Sequence, residues 1–166
     1  MKLAPRAIRL LVLDVDGVLT DGRLYFGTRG EALKVFHVRD GHGIVALRRA
    51  GLEVAVISGR RSPMVTARCR ELGVRHVYQG VPDKGATLAR LRTRLGLPRS
   101  ACACVADDLP DLPLMQGVAL AFAVADAHPA VRRAAHAVTR LPGGAGAVRE
   151  VCDLLLRGGA RRARVR

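Results

Sequence analysis

The chain has 166 residues, 49% of them hydrophobic and 3% aromatic, and carries a formal net charge of +14. That length suits one domain able to bury a core without disulfides or a structural metal, and the apolar content excludes a disordered chain. Nucleic-acid binding as the main role is not expected: Lys occurs only at Lys2, Lys34 and Lys84, the Arg are spread along the chain without interleaved aromatics, and the densest basic group, within residues 157–166, reads as a tail.

Residues 8–13 are an apolar run of strand length. Lys2, Arg6 and Arg9 precede it, but the run meets Asp14 and Asp16 too soon for a signal sequence. No stretch approaches a membrane span, so a cytoplasmic location is expected. Residues 23–38 place β-formers around Gly27-Thr28-Arg29-Gly30, the pattern of a β-hairpin. Asp40 is expected to cap a helix from about residue 43 to 50, ended by Gly51. Residues 54–57 form the next buried strand, stopped by Ser58-Gly59. Ser62-Pro63 then opens a helix in the cap-then-proline order, closed at Gly73. A short strand at 76–78 precedes a helix from Asp83 to Leu95, and 101–106 is an apolar strand that runs into acidic residues. Short strands at 118–123 and 137–138 flank a helix from Pro129. Gly143, Gly144 and Gly146 break the chain before a last helix, 147–156. Cys69, Cys102, Cys104 and Cys152 lack CxxC spacing and read as small buried hydrophobes, with no zinc site.

Strands alternating with helices imply an α/β fold, a Rossmann-like parallel sheet flanked by helices. Ligands on such sheets bind beyond the carboxyl ends of the strands. Asp14 and Asp16 follow the first strand, Ser58 the second buried one, Asp107 and Asp108 a later one, and Lys84 opens a helix after another. They therefore converge on one edge.

In Asp14-Val15-Asp16-Gly17, two carboxylates two residues apart point the same way if the strand stays extended, and they repel unless a cation lies between them. Mg²⁺ suits such hard oxygen ligands and tolerates phosphate oxygens. With it bound, one Asp can attack phosphorus while the other handles the proton. A solvated acidic turn or a calcium loop would show the same four letters. Ser58-Gly59-Arg60 offers a hydroxyl and backbone N–H groups as a phosphate cradle, although Ser-Gly turns are common. Lys84 at a helix start opposes the helix dipole, so a site that needs its charge is plausible there. Asp107 or Asp108 can complete a metal shell with Asp111 in support, and Asp108 can equally cap the helix that follows.

The order of these motifs resembles the haloacid-dehalogenase superfamily of phosphohydrolases. The resemblance implies that Asp14 is the nucleophile and Asp16 the acid/base, with its backbone carbonyl on Mg²⁺. It also implies that Ser58 and Lys84 hold phosphate, that Asp107 ligates the metal and that Asp108 and Asp111 stand behind it. Phe36-His37-Val38-Arg39-Asp40-Gly41, Tyr78-Gln79-Gly80, Val124-Ala125-Asp126-Ala127-His128-Pro129 and the run from Gly143 to Leu154 look like one subfamily, the phosphatases of 3-deoxy-D-manno-octulosonate (KDO) 8-phosphate. That likeness covers nearly the whole chain except its Arg-rich tail. It implies one capless hydrolase domain over residues 1–156, with a hairpin flap at 23–38 and a C-terminal segment at 143–156, its Gly143–Gly146 part of a mobile tail, that reaches a neighbour's site in a homotetramer, followed by a basic tail at 157–166. It makes Arg60 and Arg68 candidate readers of a sugar-acid carboxylate, beside Gly59. Relatives acting on nine-carbon sugar acid 9-phosphates carry Glu and Lys at that pair and are the alternative. Family members usually have Gly where this chain has Ala106, a costly change only if that residue needs positive φ. Two rivals come from other classes: a receiver domain, whose acidic pair would precede the phosphorylated Asp, and a non-enzymatic basic binding module.

Overall fold

Leu10, Leu11, Val12 and Leu13 are all fully buried, which is how a strand covered on both faces reads. They form β1 (Leu10–Leu13) in the computed structural model, which describes residues 8–160. A hairpin follows, β2 (Tyr25–Gly27) and β3 (Gly30–Leu33), then α1 (Val38–Arg49), β4 (Glu53–Ser58), α2 (Pro63–Glu71), β5 (His76–Gln79) and α3 (Lys84–Leu95). The second half runs β6 (Cys102–Ala106), α4 (Leu112–Gln116), β7 (Leu120–Ala123), α5 (Pro129–Ala134), β8 (Ala137–Val138) and α6 (Ala147–Ala160). The main sheet is parallel throughout, in the order β5-β4-β1-β6-β7-β8, with β2 and β3 forming a separate antiparallel pair. The expected α/β architecture is therefore the one found.

The register sets up the site. Leu13 of β1 lies level with Val56 of β4 and Val105 of β6. Asp14 thus emerges between Ser58 on one side and Asp107 on the other. The order reverses at β1, with the chain passing first to β4 and later to β6, so a crevice opens at its carboxyl end.

Several local expectations change. Asp40 does not cap α1, which starts earlier, with His37 accepting from the Arg39 N–H at 3.2 Å. Asp40 is instead buried and accepts from the N–H groups of Gly146 at 3.3 Å and Arg149 at 2.7 Å, so it caps the start of α6 from across the molecule. Helix α6 extends past Leu156, and its stripe of Val148, Val151, Cys152 and Leu155 is buried, with Cys152 facing Gly43 of α1. Residues 143–146, expected to be a mobile tail, pack on their own chain. The Gly144 N–H donates to Val18 O at 3.0 Å, and a Cβ on Gly143 would come within 1.8 Å of Gly17 O. Glycine at 143 is what lets this segment lie against the loop after β1. All four cysteines are free and buried, as expected. Of the proposed basic tail, residues 161–166 lie outside the described residues.

Candidate active site

Beyond the end of β1 a cleft of ≈ 340 Å³ is lined by Asp14, Asp16, Gly22, Ser58, Gly59, Arg60, Lys84, Asp107, Asp108, Pro110 and Asp111. Asp14 lies at its floor, 7% exposed. Lys84, on the first turn of α3 behind the Asp83 cap, reaches in and ends 2.9 Å from Asp14 Oδ1 and 2.7 Å from Asp111 Oδ1. Burial alone would push the Lys84 ammonium toward neutrality, but the charges of Asp14 and Asp111 outweigh it and raise its pKa. It is a fixed positive charge at the nucleophile candidate.

Asp111 is spent on this scaffold, because its second oxygen accepts from the Asp107 N–H at 3.1 Å. The Asp107 carbonyl accepts from the His128 N–H at 2.7 Å, so its backbone is held at both ends. Asp107 Oδ1, by contrast, is buried with no hydrogen-bond partner. Carboxylate oxygens of Asp14, Asp107 and Asp111 lie within 4.8 Å of one another. Burial and the neighbouring carboxylates push Asp14 up to about 6 and Asp107 to about 8, against the opposing pull of Lys84. A buried orphan oxygen among crowded carboxylates is what a hard divalent cation would satisfy, and this donor set fits Mg²⁺.

The family model for haloacid dehalogenase-like hydrolases matches residues 76–148. The 3-deoxy-D-manno-octulosonate 8-phosphate phosphatase of Escherichia coli strain K12 is 52% identical over 149 residues, covering 90% of this chain and 79% of its own length. The chain belongs to that phosphatase family. Its members are haloacid dehalogenase-like phosphoric monoester hydrolases, so the receiver-domain and binding-module rivals fall away. Two solved family members superpose closely. The Moraxella catarrhalis enzyme, in complex with magnesium, phosphate and KDO, has a TM-score of 0.92 at 39% identity, covering 95% of this chain and 91% of its own. The cobalt-bound Haemophilus influenzae enzyme has a TM-score of 0.93 at 40% identity, covering 95% and 92%.

Against this family background, Asp14, Ser58, Gly59, Lys84 and Asp107 share the cleft as the sequence suggests. Asp16 shares it too, but by a different route. The strand stops at Leu13, so the period-2 rule does not govern the pair: Asp14 faces Lys84, while Asp16 turns to Lys34 and Arg60. Ser58-Gly59-Arg60 lies at the end of β4, and α2 begins only at Pro63, so no helix N-terminus backs that cradle. Asp108 is exposed and accepts from the Leu109 N–H at 2.8 Å, the capping role weighed for it. Arg68 does not join Arg60. It sits about 8 Å down α2, pairs with Glu71 at 2.8 Å and lines a separate cavity with Phe36, Asp40 and Gly41. Ala106 ends β6, and no described non-glycine residue has positive φ, so the methyl carries no backbone strain.

Sequence reasoning missed Lys34 and Glu31. A Glu and a Lys three apart in a hairpin look like a solvated pair, and only the fold shows that the Lys34 side chain is buried.

Two consequences follow from this geometry. Gly17 has φ +85°, and a Cβ there would meet Asp107 Oδ2 at 2.0 Å. Gly17→Ala is expected to push Asp107 aside and weaken Mg²⁺ binding by about tenfold or more, read by calorimetric titration. The second concerns pH. A carboxyl raised to about 8 in the folded chain from 3.8 keeps a proton that the unfolded chain has lost. Stability of the metal-free protein must therefore fall as pH climbs from about 4 through 8. Protons and Mg²⁺ compete for the same oxygens, so the rise in melting temperature on adding Mg²⁺ is expected to be larger at pH 8 than at pH 6.

Proposed function

We propose that this chain is a Mg²⁺-dependent phosphatase that hydrolyses KDO 8-phosphate to KDO and phosphate through an aspartyl-phosphate on Asp14, in lipopolysaccharide precursor synthesis in the cytoplasm. The observation that carries the reading is Asp14, buried against Lys84 and opposite the unpartnered Asp107 oxygen at the switch point of the sheet. Identity to the Escherichia coli enzyme supplies the substrate. The Moraxella catarrhalis complex, with magnesium, phosphate and KDO bound, supports both ion and product. Among the described residues, no helix is long and apolar enough to cross a membrane.

The residues divide the work as follows. Asp14 and Asp107, with the Asp16 backbone carbonyl, would hold Mg²⁺, which supplies charge neutralisation for the phosphoryl oxygens. The ammonium of Lys84 and the hydroxyl of Ser58 hold the phosphate, with the backbone at Gly59 beside it. An Asp14 oxygen attacks phosphorus as the bond to the sugar oxygen breaks, and Asp16 gives that oxygen a proton. In the second half-reaction Asp16 takes a proton from water, the water oxygen bonds to phosphorus, and the bond to Asp14 breaks. Asp111 fixes Lys84 and the Asp107 backbone, and Asp108 fixes the turn that runs from Asp107 to Asp111.

The 43% exposure of Arg60 at the cleft edge supports it as the reader of the substrate carboxylate. Arg68 would need another route to the same ligand. The hairpin and its flanks expose Leu24, Phe26, Leu33 and Val35, and Val38 at the start of α1 is exposed as well; exposed apolar side chains of that kind support the homotetramer, with neighbours closing each site.

The test is phosphate release from KDO 8-phosphate, a nine-carbon sugar acid 9-phosphate and a sugar phosphate without a carboxylate, each with Mg²⁺ and with a chelator. KDO 8-phosphate should be cleaved fastest, and only with the metal. Arg60→Lys, which keeps a cation beside Asp16 and Glu31 but loses the forked geometry that matches a carboxylate, is expected to lower kcat/KM on it by about tenfold and to cost less on the carboxylate-free sugar. An equal loss on both substrates would remove Arg60 as the carboxylate reader, and faster cleavage of the nine-carbon substrate would replace the substrate assignment.

A further inference from the structure

Leu33 and Val35, on either side of Lys34, are 44% and 53% exposed, whereas the Lys34 side chain is 1% exposed. Lys34 follows the end of β3 at Leu33, and its side chain alone of the three turns inward. Its ammonium contacts Asp16 Oδ1 and lies 3.0 Å from Glu31 Oε1. Arg60, from the loop after β4, closes a ring of charges: it is 3.2 Å from the same Glu31 oxygen and 3.6 Å from Asp16 Oδ2. Burying an ammonium is unfavourable unless well-placed anions compensate it. A hairpin that leaves most of its apolar side chains in solvent offsets little of that cost by its own packing. The ring therefore does two things at once: it seats the hairpin on the cleft, and it fixes a carboxylate of the reaction.

We propose that Lys34 is a positioning residue for the phosphatase reaction, holding Asp16 by Oδ1 so that Oδ2 faces the leaving group, and thereby tying hydrolysis to the seating of the hairpin. The inference rests on the reading that Asp16 exchanges the protons. The 3.6 Å between Oδ2 and Arg60 Nε is beyond hydrogen-bond length, and Arg60 is the more exposed of the two cations, so Oδ2 is the oxygen left to work. Without Lys34 the carboxyl rotates among its rotamers and the proton loses its line to the sugar oxygen.

The experiment compares kcat/KM for Lys34→Met on KDO 8-phosphate and on 4-nitrophenyl phosphate, whose leaving group departs as a stable anion and needs no proton. Loss of an oriented acid should cost about tenfold to a hundredfold on the sugar phosphate and less than about threefold on the aryl phosphate, with Lys34→Arg restoring most of the rate. Equal losses on both substrates mean that Lys34 is only a structural clasp and overturn the proposal. So does an unchanged or increased rate on the sugar phosphate. Lys34→Gln, neutral and too short to span the gap, carries the same comparison where the Met variant does not fold. A wild type that cleaves 4-nitrophenyl phosphate but not KDO 8-phosphate defeats the substrate assignment alone. The contrast is then read on ribose 5-phosphate, another primary-alcohol phosphate, and stands or falls there.

Discussion

Asp14→Asn is expected to lower phosphate release by a factor on the order of 10⁴ or more without unfolding the chain. An amide is a poor nucleophile, and no other described carboxylate meets Lys84 from the same place: Asp111 shares the ammonium, but its second oxygen is committed to the Asp107 N–H. The substitution is close to isosteric and removes a charge that burial already disfavours, as the pKa of about 6 records. At pH 8 the metal-free variant should therefore melt no lower than the wild type, since Lys84 keeps its 2.7 Å contact with Asp111. Inactivity accompanied by a large fall in melting temperature would mean that Asp14 is needed for folding and would leave another residue to attack.

Lys84→Met is expected to harm both stability and activity. The side chain is 7% exposed and joins Asp14 and Asp111, which are 10% and 1% exposed. Removing the cation leaves two buried carboxylates facing each other, at a cost of about 3 kcal/mol or more, which for a chain of this size is roughly 10 °C of melting temperature. The loss has a sign in pH. Lys84 is the largest influence that lowers Asp14 and Asp107 against burial, so without it both carboxyls hold their protons to higher pH. The variant should lose little stability near pH 5, where the carboxyls can be neutral, and most at pH 8. Turnover should fall on the order of a hundredfold or more, with Mg²⁺ binding retained. A loss of stability independent of pH would mean that the Lys84 stem, and not its charge, is what the site needs.

The sheet was legible because its strands are short apolar runs ended by Gly or acidic residues, as at Asp14, Ser58-Gly59 and Asp107. The convergence of the site residues on the carboxyl edge followed from chain order, while the switch point at β1 is visible only in the strand order of the folded sheet. What the sequence hid is the direction each of these side chains takes, which the tertiary packing sets. Asp40 sits where a helix cap would, yet it binds N–H groups more than a hundred residues away. Lys34 lies in a solvent-facing hairpin and is nonetheless buried. Arg68 stands on the right helix, but its direction from the axis takes it to Glu71 and away from Arg60. The turn after Leu13 is a similar case, since ending the strand one residue before Asp14 sends Asp14 and Asp16 to different cations.

Covalent capture of phosphorus during turnover tests the mechanism at its root. Wild-type enzyme mixed with KDO 8-phosphate and Mg²⁺, quenched in acid within one turnover and digested, should yield the peptide containing Asp14 heavier by one phosphoryl group, with no such gain when Mg²⁺ is chelated. Brisk phosphate release with that peptide unmodified at every quench time, or with the label on another residue, would contradict an aspartyl-phosphate at this position.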